Sequence, residues 1–191
     1  MKIAPQDVLD FWFGAPGSPE YGEPRAAWFR KSDAFDQDVR ERFLAVHEQA
    51  ARGELTAWDA TPRSLLALII VLDQFPRNMY RNDARAFVTD ALALAAAQRM
   101  VAHGWDRELG PVERGFAYLP YEHAEDLAMQ QRAVALFEDA NEPMMTDAAQ
   151  WARKHRDVIA RFGRFPHRNA ILGRRSTPDE VEFLKQPGSS F

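Results

Sequence analysis

Thr61-Pro-Arg-Ser-Leu-Leu-Ala-Leu-Ile-Ile-Val-Leu-Asp-Gln-Phe-Pro-Arg-Asn78 is the stretch that decides the fold. Thr61 before Pro62 is an N-cap with proline at the first helical position, where a missing N–H leaves nothing unpaired. The run from Leu65 to Leu72 is apolar around its whole circumference, which places a helix at the centre of the molecule. A buried strand is the rival reading. The cap, and the lack of turn signals inside the run, favour a helix over 63–75, with Pro76 ending it at about Phe75.

Working outward, helix punctuation continues in both directions. Residues 6–13 read as a short helix stopped by Gly14, and the Pro-rich 15–24 as a long loop. Asp33 is placed to cap a helix running to Arg52, with His47 read as a surface residue. Beyond Asn78, an Ala-rich helix is expected over 83–103, with His103 also at the surface. A short helix over 111–118, a long one over 121–140 and another capped by Thr146 and stopped by Gly163 follow. Thr177-Pro-Asp-Glu180 is a capping box that starts a last short helix. Residues 186–191 read as a flexible tail. Strand alternation is absent, so the reading is all-α: one helical domain over 1–191.

Composition narrows the chemistry. The chain has 191 residues, no cysteine and a net charge of −4. Disulfides, zinc–thiolate sites and thiol nucleophiles are excluded. No secretory signal and no span of about 20 apolar residues occurs, so a cytoplasmic protein is expected, with no membrane and no nucleic-acid partner. Charge is uneven: residues 119–147 carry seven acids against Arg132, and residues 150–175 carry eight bases against Asp157. Neighbouring blocks of opposite sign are expected to neutralise each other within the fold.

Four constellations could carry chemistry. The first is Asp73, with Arg77, Asn78 and Arg81. A carboxylate in a last helical turn faces the negative end of the dipole, at a cost of ~0.3–1 kcal/mol. A buried Asp–Arg strut and a polar pocket both account for it. The second is a similar ending, Gly163-Arg-Phe-Pro-His-Arg-Asn169 with Arg174 after it. There Arg164, Arg168 and Arg174, with His167 and Asn169, offer donors suited to an anion or to the acids at 122–126. The third is Tyr121-Glu-His-Ala-Glu-Asp126, where Glu122, His123, Glu125 and Asp126 open a helix and His123, Asp126 and Gln130 share a face. The fourth is His155, on an apolar stripe and therefore buried or lining a cavity. No phosphate loop, dinucleotide fingerprint, nucleophile elbow or His-Glu-x-x-His pattern is present. No metal and no cofactor are expected.

These segments together resemble a bacterial family known as domain of unknown function 924. The resemblance rests on Asp10-Phe-Trp-Phe-Gly14, Trp28-Phe29, Leu72-Asp-Gln-Phe-Pro-Arg-Asn78 with Tyr80-Arg81, Pro120-Tyr-Glu-His-Ala-Glu-Asp126 with Gln130, and Phe162-Gly-Arg-Phe-Pro-His-Arg-Asn169 with Leu172-Gly-Arg174. It implies a tetratricopeptide-like scaffold, antiparallel helix pairs in a right-handed array, and it implies that the polar segments meet in space. It brings no activity. The leading expectation is a binding domain whose Arg/His/Asp-lined pocket takes a small anionic ligand or the acidic group of a peptide. The alternative is a hydrolase using a His–carboxylate pair, with or without a metal. Whether the chain is an enzyme is open, as is an oligomer.

Overall fold

In the computed structural model, which describes residues 3–28, 30–140 and 142–190, the Thr61 signal opens a helix. Met1, Lys2, Phe29, Asn141 and Phe191 lie outside the described residues, and with them the Phe29 of the Trp28-Phe29 motif and the end of the tail. The Thr61 hydroxyl accepts from Ser64 N at 3.2 Å, while Ser64 Oγ accepts from Thr61 N at 3.1 Å. This box starts α3, Pro62–Ile69, whose residues from Leu65 onward are buried.

The expected stop at Phe75 does not occur. Proline has no N–H to give the residue four back, and its ring would strike that carbonyl. The backbone answers by widening into a π turn, Ile70–Gln74, in which Phe75 N–H donates to Ile70 O. Side chains donate to three carbonyls of this turn. Val71 O accepts from His47 Nδ1 at 3.1 Å, Leu72 O from Thr89 Oγ1 at 2.6 Å, and Asp73 O from Arg77 Nη1 at 2.6 Å. Helix therefore resumes through Pro76 as α4, Phe75–Met79. His47, expected at the surface, is buried because it serves Val71.

Around this axis lie α1 (Pro5–Phe13), α2 (Asp33–Ala51), α5 (Asp90–Ala102), α6 (Pro111–His123), α7 (Leu127–Asp139), α8 (Pro143–Phe162) and α9 (Pro178–Leu184). Short 3₁₀ turns fill several of the links, and no strand occurs among the described residues. Four boundaries differ from expectation. Ser32, not Asp33, caps α2, accepting from Phe35 N. The helix expected over 83–103 is a 3₁₀ turn, Ala84–Phe87, and then α5, since Thr89 turns its hydroxyl to Leu72 O. Pro120 starts nothing: α6 runs through it, and Phe116, Ala117, Tyr118, Pro120 and Tyr121 are all buried. The break falls instead at Ala124, and Asp126 caps α7 by accepting from Met129 N at 3.0 Å. Finally, α8 begins at Pro143, ahead of Thr146, and ends at Gly163, whose φ of +69° is the left-handed cap that glycine adopts freely.

The core is rich in rings. Phe75, fully buried, stacks on Phe43 at 4.6 Å and meets Trp12 at 5.7 Å, and Trp28 meets Phe116 at 4.7 Å. A smaller cluster of Val158, Ile159 and Phe165, with Phe162 and Phe183 beside it, joins α8 to α9. In the tail, Ser189 Oγ donates to Leu184 O. No helix among the described residues is long and apolar enough to cross a membrane.

Candidate functional site

The π turn swings Asp73 inward, where its side chain is fully buried. His123, in the last turn of α6, meets it with Nδ1 at 2.8 Å from Oδ1 and 3.0 Å from Oδ2. Gln74 Nε2 donates at 2.5 Å and Arg77 Nη1 stands 3.3 Å away. Burial alone would raise the Asp73 pKa; the charge of Arg77 and the bonds from His123 and Gln74 instead hold it well below the usual carboxylate range. Burial and then the neighbouring Arg77 lower the pKa of His123, outweighing the pull of Asp73. A neutral His123 donates its Nδ1–H as a hydrogen bond to the carboxylate and keeps its lone pair on Nε2.

Arg77 also grips Asp90 in bidentate fashion, at 2.9 and 3.0 Å. Arg168 reaches the same carboxylate less closely, at 3.5 Å, and donates to His123 O at 3.1 Å. The Arg168 guanidinium lies over two rings, 4.6 Å from the centre of Phe87 and 4.5 Å from that of Phe165. Its side chain is only 7% exposed, and its Nε is buried with no hydrogen-bond partner. Burial, then the charge of Arg77, pushes its pKa down to about 10. Arg77, Asp90 and His123 keep 20%, 19% and 17% of their side-chain surface open. The nest is therefore covered but not sealed.

The other candidates disperse into local clasps. Asn78 Nδ2 donates to Asp36 at 2.8 Å and Arg81 pairs with the same acid, so Arg81 does not answer Asp73. Glu125 accepts from Phe165 N at 2.8 Å and from both Nη atoms of Arg174, and these bonds outweigh burial to lower its pKa. Arg174 Nε donates to Asn169 Oδ1 at 2.9 Å. Arg164 instead takes Glu180, at 2.7 and 2.8 Å, beside an open groove of about 410 Å³ lined also by Arg161, Phe162, Thr177 and Asp179.

His155 is buried, its Nδ1 2.9 Å from both Glu122 Oε1 and Trp151 O. Gln130 donates to Glu122 O and Ala124 O at 2.6 and 2.7 Å, closing the link between α6 and α7. Burial, then Arg168, lowers the pKa of His167 to about 4.

Two expectations fail here. The segment 121–126 ends α6 rather than opening a helix, so His123, Asp126 and Gln130 share no helical face, and exposed Asp126 is a cap. The opposite charge blocks neutralise each other only in part, through Arg174–Glu125 and Arg153–Glu138; Arg164 and Arg168 find acids elsewhere. No group of three or more His, Asp or Glu side chains among the described residues is placed to hold a metal.

Asp90 and Phe87 went unread in the sequence, inside an expected long helix. Thr89-Asp90 was the available signal, a helix-start pattern with an acid in the first turn.

This chain belongs to the family described as bacterial protein of unknown function (DUF924), which it matches over residues 8–188. It is similar to a solved structure, a protein of unknown function, ATU0120, from Agrobacterium tumefaciens. The two are 41% identical, with a TM-score of 0.82 over 95% of this chain and 96% of that one. No curated protein matches.

Proposed function

We propose that the protein is a helical binding domain whose site is the nest of Arg77, Arg168 and His123, and whose ligand is a small molecule with an anionic group. The observation that carries this reading is Arg168: a buried cation whose nearest carboxylate oxygen is 3.5 Å away and whose Nε has no partner. A guanidinium so placed is short of negative charge, and a bidentate anion is what its geometry accepts best. Asp90 holds the two guanidinium groups together and competes with the ligand.

Titration of the wild type and Asp90→Asn with inorganic phosphate and acetate, read by calorimetry and melting temperature, tests this. Both anions raise the melting temperature of the wild type, and removal of the competing charge tightens binding several-fold. No binding to either protein overturns the proposal.

The fold expectation belongs with this reading. Packing of α5 on α6, α6 on α7 and α7 on α8 supports a tetratricopeptide-like succession of neighbours; the antiparallel, right-handed form rests on the family resemblance. A hydrolase is the second reading, favoured by the 2.8 Å contact between Asp73 and His123, which orients the imidazole as a general base. Ester or phosphoester turnover by the wild type, lost in His123→Gln with the melting temperature kept, marks that case.

A further inference from the structure

Resting on the reading of Arg77 and Arg168 as an anion site, we infer that the nest takes a small monoanion together with one proton, drawn from solvent onto Nε2 of His123. Two shared oxygens place the groups. His123 Nδ1 and Arg77 Nη1 meet at Asp73 Oδ1, at 2.8 and 3.3 Å. Arg77 Nη2 and Arg168 Nη1 meet at Asp90 Oδ2, at 3.0 and 3.5 Å. Arg168 Nη1 also donates to His123 O at 3.1 Å, which ties the histidine to the frame of the anion site.

Charge balance then decides where a proton goes. Around His123 stand Asp73 of the π turn, Arg77 of α4, Asp90 of α5 and Arg168 of the 3₁₀ turn Pro166–Arg168. With the imidazole neutral, two carboxylates face two guanidinium groups and their charges cancel. Neighbouring acids have partners of their own: Glu125 pairs with Arg174, and Glu122 lies 2.9 Å from His155 Nδ1. An added monoanion leaves one negative charge over, where burial makes an unbalanced charge costly. His123 can restore the balance. Its Nδ1–H is engaged with Asp73, its Nε2 carries the lone pair, and 17% of its side chain is open to water. Burial and then Arg77 keep it neutral; an anion that answers Arg77 weakens the second of these effects. Anion and proton then raise each other's affinity by the same factor.

Formate tests this on the full chain, because it keeps its single charge from pH 5 upward and has no proton to give there. Calorimetry in buffers of different ionisation enthalpy counts the protons taken up on binding, and this count needs no variant. NMR follows the imidazole signals with and without formate. Uptake of up to one proton is expected between pH 5 and pH 8. Affinity falls as the pH rises, by up to about tenfold per unit where uptake is complete. One imidazole titrates at higher pH with formate bound, and its signal is missing from His123→Gln. The pH dependence of affinity disappears in His123→Gln and survives in Asp90→Asn and His167→Gln.

Formate binding with no proton uptake overturns the inference and leaves the anion site standing. A pH dependence kept in His123→Gln, or lost in Asp90→Asn or His167→Gln, overturns it by placing the proton elsewhere. If neither formate nor phosphate binds, the anion-site reading itself falls, and the inference with it.

Discussion

The two Phe-Pro segments are spelled alike and built differently. At 73–78 the helix passes through Pro76 by opening a π turn; at 163–169 it has already stopped at left-handed Gly163, and Phe165-Pro-His-Arg forms a short 3₁₀ turn. Both phenylalanines are fully buried, and both arginines, Arg77 and Arg168, arrive at one carboxylate, Asp90. Proline alone therefore does not decide where a helix ends. At Pro76 the carbonyl four residues back is met by a side-chain donor. Leu72 O finds Thr89, whereas α8 is closed by glycine before its proline is reached.

The largest effect is expected from the acid that only the first segment carries. Asp73→Ala leaves Arg77 and His123 facing an empty buried site, and chemical denaturation should show a loss of about 3–5 kcal/mol. A loss under 1 kcal/mol would mean that the π turn does not depend on this network. Next comes the donor that lets helix pass Pro76. Thr89→Val keeps the shape but leaves Leu72 O buried and unpaired, at a cost of about 1–3 kcal/mol by the same measurement. An unchanged midpoint would show that the proline is tolerated for another reason.

The smallest effect separates the segments by pH. His167 has a pKa near 4 in the folded protein against about 6.5 unfolded, so the unfolded chain binds the proton first. Stability then falls as the pH drops below 6.5, by about 1 kcal/mol between pH 6 and pH 5 from this residue alone. Asp73 acts in the same direction in a lower window: its pKa is lowered by folding, so its contribution is lost only below about pH 4. Denaturation midpoints of the wild type and His167→Gln across pH 7 to 4 check this, the variant showing the shallower slope. Equal slopes would remove His167 from the account.

Much of the fold was legible because its signals are local. The boxes at Thr61 and Thr177, the glycine stop at 163 and the apolar run from Leu65 act within a turn or two of chain, and each appears where it was read. The candidate site was legible in its members and not in its pairings. Asp73, Arg77, His123 and Arg168 were named, yet Arg81 and Arg164 went to Asp36 and Glu180, acids 45 and 16 residues away along the chain. Asp90 was hidden inside an expected long helix, because Thr89 spends its hydroxyl on a carbonyl 17 residues earlier, a partner that no local pattern announces.

Taken alone, then, the sequence determined an all-α chain, the helix starts at Thr61 and Thr177 and the burial of its central helix, since caps, prolines and apolar periodicity act over a few residues. Only the tertiary structure decided that helix continues through Pro76 and Pro120, that 121–126 closes a helix instead of opening one, and that the two Phe-Pro segments meet. At Pro76 and at Asp90 the outcome turns on which distant side chain reaches a carbonyl or a buried charge, and such partners are set by packing rather than by neighbours along the chain.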